Sequence, residues 1–130
     1  MAQYLLDATT LFAAAAGDSA TLSKLSRLPI GAVAISAIAY GELLTAGASA
    51  GRNPRLAENL ALIAQNLDIL PFDRKAADAY RALLRKTEPK RRRMLDRMTA
   101  AQAIAGGRTL LTLAPQDFAD LPGLALESWA

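Results

Sequence analysis

The sequence predicts an α/β fold: a three-layer α/β/α sandwich around a mainly parallel sheet of about four or five strands. Two observations predict it. Short apolar runs, such as Tyr4-Leu5-Leu6 and Ala32-Val33-Ala34-Ile35, alternate with longer segments whose apolar residues recur at helical spacing. The strand-like runs are also apolar throughout, which is expected when helices cover both faces of a parallel sheet. The chain has 130 residues, so one domain over 1–130 is expected; 52% hydrophobic and 21% charged residues supply a core and argue against disorder. There is no internal repeat, low-complexity tract or linker.

The first strand, residues 4–6, ends on Asp7. Outside the carboxyl end of a strand an acid is placed for chemistry, although Asp is also a favoured helix N-cap. A short helix follows over 10–16, stopped by Gly17. Asp18-Ser19 caps a second helix with Leu22, Leu25 and Leu28 as its inward stripe, ended by Pro29. Residues 32–35 form the second strand, and Ser36 is the cap candidate for a helix over 37–50 with Ile38, Leu43 and Leu44 inward and Glu42 among them. Gly51 closes it, and Asn53-Pro54 restarts a helix to Leu67 carrying Leu56, Leu60 and Ile63. Residues 68–72 read as the third strand. Asp73 caps the next helix, with Ala76, Ala77, Tyr80 and Leu84 inward. A basic loop over 86–93 leads to a helix over 94–105 with Asp96 in its first turn and Gly106-Gly107 at its end. Thr109 to Thr112 form the fourth strand, Asp117-Phe118 opens a turn, Pro122-Gly123 makes another, and residues 124–126 form the last strand.

Composition excludes several chemistries. With no Cys there are no disulfides, thiolate metal sites or Cys nucleophile, which suits a reducing cytoplasm. With no His there is no Ser-His-Asp triad and no imidazole ligand, so a metal site would use oxygen donors, pointing to magnesium, manganese or calcium. The net charge of +3 biases the chain mildly towards anionic partners, and Lys86 with Lys90, Arg91, Arg92, Arg93 and Arg97 forms the dense basic run. No membrane association is expected. The longest nearly uncharged stretch, 28–51, is broken by Glu42, and a charge at mid-bilayer costs about 2.5–3.5 kcal/mol on the lenient scale. Asp7 among the first residues, without a basic start, argues against a signal peptide.

Three acids stand out by context: Asp7 at a strand end, Glu42 in the helix after the second strand, and Asp96 opening the helix before the fourth. Each has a plain alternative: a cap for Asp7, a solvated helix position for Glu42, and for Asp96 the helix dipole or a pair with Arg92 or Arg93. Other segments run in a familiar order: Ser36-Ala37-Ile38-Ala39-Tyr40-Gly41-Glu42-Leu43, then Leu70-Pro71-Phe72-Asp73, Ala76-Ala77-Asp78-Ala79-Tyr80, Ala100-Ala101, Thr109-Leu110-Leu111-Thr112, Asp117-Phe118, Pro122-Gly123-Leu124 and Trp129. Together with Tyr4-Leu5-Leu6-Asp7 they make the chain resemble, nearly end to end, the PIN-domain ribonucleases, and most of all the VapC toxins of bacterial toxin–antitoxin pairs.

That resemblance implies a PIN-like fold, a Mg2+- or Mn2+-dependent endoribonuclease acting on RNA, a cognate antitoxin protein as partner, and a homodimer. By motif match Asp7, Glu42 and Asp96 fall on three of the family's acidic, metal-holding positions. Physically, two carboxylates about 4 Å apart repel by roughly 4 kcal/mol at an effective dielectric of 20, so such a cluster wants a cation. The chain departs from the family where Thr9 replaces an Asn two residues after Asp7, and where Ala114 replaces the fourth acidic or Asn position two residues after Thr112. Thr9 and Thr112 are candidate supports. Asp117 is the nearest substitute carboxylate, although an N-cap role is preferred for it. Arg97, Thr99 and Gln102 stand where the family is mostly apolar and are expected at the mouth of the site or facing solvent. Lys90, Arg91, Arg92 and Arg93 are candidate RNA phosphate contacts, with a solvated loop as the alternative. Against the active toxin stand a degenerate PIN domain that binds RNA or a protein without cutting, motivated by Thr9 and Ala114, and a small α/β interaction protein unrelated to nucleases.

Overall fold

Tyr4, Leu5 and Leu6 form the central strand of the sheet, and their alternation decides the layering. In the computed structural model, which describes residues 3–29, 31–50 and 54–130, β1 (Tyr4–Leu6) lies between β2 (Val33–Ser36) and β4 (Thr109–Thr112). Leu5 pairs with Ala34 and Leu110, and Leu6 with Ile35 and Leu111. With β3 (Asp68–Leu70) and β5 (Leu126–Ser128) the order is β3-β2-β1-β4-β5, all parallel. Successive side chains point to opposite faces. Leu5, Ala34 and Leu110 pack with Leu83, Ala100, Ala101 and Phe118, whereas Leu6, Ile35 and Leu111 pack with Leu11, Leu43, Leu60 and Trp129. The expected three-layer α/β/α sandwich is thus present, with a buried core on each side of the sheet.

The helices are α1 (Ala8–Ala15), α2 (Ser19–Ser26), α3 (Ala37–Ala50), α4 (Pro54–Asn66), α5 (Arg74–Lys86) and α6 (Met94–Gly106). Capping follows the sequence. Asp7, Asp18 and Asp73 accept from the backbone N–H of Thr10, Thr21 and Ala76, and Ser36 Oγ accepts from Ala39 N. Gly107 ends α6 at φ 64°, a left-handed position that glycine adopts without penalty. The expected stop at Gly51 and restart at Asn53 lie outside the described residues.

Several sequence expectations are corrected. Leu22, Leu44 and Leu84 are exposed; Leu43 is buried as expected, and Thr21 and Leu83 are buried in place of Leu22 and Leu84. In α3 the inward line runs Ala39–Leu43 at i, i+4, and Leu44 lies one residue, about 100°, round the helix. Thr21 turns inward while its hydroxyl donates to the Asp18 cap. β3 ends at Leu70 because Pro71 has no N–H to continue the ladder. The last strand lies two residues later than expected, its register fixed by Leu126 opposite Leu110 and Ser128 opposite Thr112. An edge strand half open to solvent tolerates Glu127 and Ser128, so its pattern was not apolar. Part of the basic segment is a 3-10 turn, Arg91–Arg93, leading straight into α6. Among the described residues no helix is long and apolar enough to cross a membrane.

Candidate active site

The sheet order reverses at its centre: the chain moves from β1 through β2 to β3 on one side, then returns to β4 and β5 on the other. In open α/β sheets the crevice outside the carboxyl ends of the strands at such a reversal is the usual ligand site. Asp7 stands there, directly after β1, and is 3% exposed. Its Oδ1 accepts from Thr9 Oγ1 at 2.7 Å, Thr10 N at 2.9 Å and Thr10 Oγ1 at 3.0 Å, while its Oδ2 accepts from Thr112 Oγ1 at 2.5 Å. Asp7 therefore has the capping role that the sequence allowed for it. It caps α1, and its carboxylate is held at the strand edge with one lone pair of Oδ2 unused.

Thr9 and Thr112 fix that carboxylate between β1 and β4. Each hydroxyl has one proton and gives it to Asp7, so the 3.3 Å approach of the two hydroxyl oxygens is a contact without a proton between them. Thr9 Oγ1 also accepts from Leu113 N at 2.9 Å, and Thr112 Oγ1 from Ala114 N at 3.0 Å. The hydroxyl at position 9 thus supplies the bond to Asp7 without an amide. The methyl of Ala114 offers no donor atom, and its carbonyl is bound by Asp117 N.

Glu42, on the second turn of α3, and Asp96, on the first turn of α6, face the same edge. The pKa of Glu42 is raised by burial, then by the charges of Asp96 and Asp7. That of Asp96 is raised by burial and by Asp117, lowered by Arg93, and raised again by Asp7. Glu42 thus feels the charges of Asp96 and Asp7, and Asp96 those of Asp117 and Asp7, which Arg93 offsets only in part. Among the described residues no three of them stand close enough to share one metal ion. Magnesium commonly takes one or two carboxylates and keeps its waters. The all-oxygen donors, the free lone pair of Asp7 and the raised Glu42 and Asp96 fit a hydrated Mg2+ or Mn2+, not a closed protein cage.

Asp117 is not an N-cap. It lies within a 3-10 turn, Pro115–Phe118, whose cap residue Ala114 makes no side-chain bond. Its Oδ1 instead pairs with Arg93 Nη1 at 2.8 Å, and the same nitrogen lies 3.5 Å from Asp96 Oδ2. Arg93 is thus engaged by carboxylates, while Lys90, Arg91 and Arg92 are exposed.

Arg97, Thr99 and Gln102 are neither at a mouth nor in solvent; all three are buried. Arg97 donates to Thr87 Oγ1 and the Glu88 carbonyl, both at 2.6 Å, and to Asp120 Oδ2 at 2.8 Å. It ties the end of α5 and the segment after Asp117 to α6, and it leaves the basic surface. Gln102 donates to the Leu70 and Pro71 carbonyls at 2.8 and 3.0 Å and accepts from Ser36 Oγ at 2.6 Å, with Thr99 Oγ1 3.3 Å from Ser36 Oγ. This network fixes the start of α3, hence Glu42, relative to α6. A signal for Arg97 was present: Arg97, Ala100, Ala101 and Ile104 fall at i, i+3, i+4 and i+7, one inward stripe.

Solved structures of the same fold include VapBC2 from Rickettsia felis bound to promoter DNA (23% identity, TM-score 0.81, 98% of each chain). They also include DNA-bound VapBC from Salmonella typhimurium (25%, 0.77, 100% of each) and VapBC-5 from Mycobacterium tuberculosis (22%, 0.71, 98% of each). No curated protein sequence matches the chain. The family pattern described as PIN domain matches residues 4–124, and by that match the chain belongs to the PIN domain family.

Proposed function

We propose that this chain is a metal-dependent endoribonuclease and the toxin of a toxin–antitoxin pair, with Asp7, Glu42 and Asp96 as its metal-holding and catalytic carboxylates. The observation that carries the reading is the set of acids at the sheet's reversal point, where burial first, and then neighbouring carboxylates including Asp7, disfavour ionisation of Glu42 and Asp96. Membership of the PIN family and the fold shared with VapBC complexes support it.

Magnesium or manganese, once bound, would activate water and offset charge on the phosphate in flight. The chain's own part is to hold and orient. Asp7 offers Oδ2 as a ligand, and the hydroxyls of Thr9, Thr10 and Thr112 hold its carboxylate in one orientation. Glu42 and Asp96 bring further oxygens from two helices, and Asp117 stands behind Asp96 as a supporting charge. Exposed Lys90, Arg91 and Arg92 supply phosphate contacts that carry no sequence information, so RNA binding weakens with salt. A cognate antitoxin is the expected protein partner, as in the VapBC complexes of the same fold, and a homodimer is the expected assembly.

The test is cleavage of total cellular RNA by the purified chain with manganese and with chelator, beside Asp96→Asn. Cutting that requires both metal and Asp96, with at least a hundredfold loss in the variant, supports the reading; cutting that survives either removal overturns it. A second reading, a PIN module that binds RNA or protein without cutting, is favoured by the methyl at Ala114 and by the lack of three acids around one point among the described residues. It predicts RNA or partner binding without turnover, and gain of cleavage in Thr9→Asn/Ala114→Asp.

A further inference from the structure

Among Lys90, Arg91, Arg92 and Arg93, only Arg93 does not face solvent freely, and its partners explain why. Its backbone N–H donates to the Lys90 carbonyl at 2.9 Å, closing the 3-10 turn that leads into α6. That turn carries the side chain back over the first turn of α6. There Nη1 meets Asp117 at 2.8 Å and Asp96 at 3.5 Å. The two carboxylates come from different places in the fold, α6 and the turn after β4, so one guanidinium spans the acidic edge between them. Lys90, Arg91 and Arg92 precede it in sequence and stay exposed.

We propose that Arg93 is a built-in counter-ion of the acidic edge: in the resting protein it holds the positive charge that a divalent cation supplies on loading, and so it sets the affinity for that cation. The inference rests on the metal-dependent reading above and adds to it a residue that opposes the metal.

The chemistry follows from the charge in a plain way. A guanidinium stays charged at every working pH, so it is a permanent internal cation. It is a single charge set against several carboxylates, so it relieves Asp96 only in part. A divalent ion held by Asp96 would compete with the guanidinium for that carboxylate, and Arg93 would keep its pair with Asp117. The 3.5 Å contact is the longer of the two and is the one to break first. Displaced towards Asp117, the guanidinium remains beside the site, where an RNA phosphate would find it. A half-exposed pair of this kind changes a binding constant by about fivefold.

The test is manganese binding to the metal-free chain, without RNA, followed by calorimetry and by the electron paramagnetic resonance of free Mn2+. The variants are Arg93→Gln, Arg93→Lys and Arg92→Gln, each checked for folding by circular dichroism. Arg93→Gln is expected to bind Mn2+ about fivefold more tightly than the wild type. Arg93→Lys, which keeps the charge, and Arg92→Gln, which removes an equal charge from the exposed neighbour, are expected to stay within about twofold. In the wild type, the Nε–H resonance of Arg93 should broaden on adding Mg2+, while that of Arg97 should not, because Thr87, Glu88 and Asp120 hold it. Equal or weaker binding by Arg93→Gln, or equal tightening by Arg92→Gln, overturns the inference and leaves the metal-dependent reading standing. No Mn2+ binding by any of the folded chains overturns both.

Discussion

At the scale of single residues, the site is a balance between one carboxylate made comfortable and others made uncomfortable. Asp7 is surrounded by hydroxyl and amide donors, whereas Glu42 is half-buried and, among the described residues, feels only like charges. The pH consequence follows from the sign. The folded pKa of Glu42 lies above the ordinary value of 4.5 for a glutamate. The fold therefore favours its neutral form, and this contribution to stability is present below the unfolded pKa and is lost as pH rises through the folded one. In chelator, Glu42→Gln is expected to melt about 2–3 °C above the wild type at neutral pH, after discounting for solvent screening, with the two curves converging towards pH 4. Scanning calorimetry across that range checks it, and equal melting at pH 7 would contradict it. The opposite is expected of Thr112→Val. The swap keeps the shape but leaves a buried Asp7 oxygen without its 2.5 Å donor. Urea unfolding should show a loss of about 1–3 kcal/mol.

At the scale of elements, the sequence shows clearly what lies in the sheet and less clearly what lies on its edges. β1, β2 and β4 were legible because an apolar strand buried on both faces has no other easy reading, and Asp7, Asp18 and Asp73 were legible as caps because capping is local chemistry. The displaced β5 and the true inward faces of α2 and α5 depend on tertiary contacts that periodicity in short segments does not fix. The candidate acids Asp7, Glu42 and Asp96 were found by position in a motif. The pairing of Asp117 with Arg93 was not, because it joins elements over 20 residues apart. The buried polar stripe of α6 was misjudged for a physical reason. Polar residues are normally assigned outward, yet Gln102 is needed to donate to carbonyls left open where β3 stops, and Arg97 to gather the ends of two loops. Arg97 is 2% exposed and meets three acceptors with two nitrogens. An ammonium cannot reproduce that fork. Arg97→Lys is expected to lose about 2 kcal/mol in denaturant unfolding, and Arg97→Ala more. A change below about 0.5 kcal/mol for both would show that the clamp is not structural.

At the scale of the whole molecule, the acidic edge is assembled from parts that the chain brings together late. Asp7 follows the first strand, Glu42 rides on α3, Asp96 opens α6, and Asp117 follows β4. A cation held by carboxylates from separate elements binds the folded chain and not the unfolded one, so it stabilises by mass action. At 100 times its dissociation constant the gain is about 2.7 kcal/mol. Such an ion would also offset the penalty of keeping Glu42 and Asp96 ionised. Magnesium should therefore raise the melting temperature by several degrees at pH 7. The rise should shrink as pH falls through the raised pKa values of those two acids, since protonated carboxyls are poor ligands. Chelator should reverse it, and Asp96→Asn should abolish most of it. A melting temperature that does not respond to magnesium or manganese at any pH from 5 to 8 would mean that the acids of this edge do not act together on a cation. The second reading, binding without cleavage, would then take the place of the first.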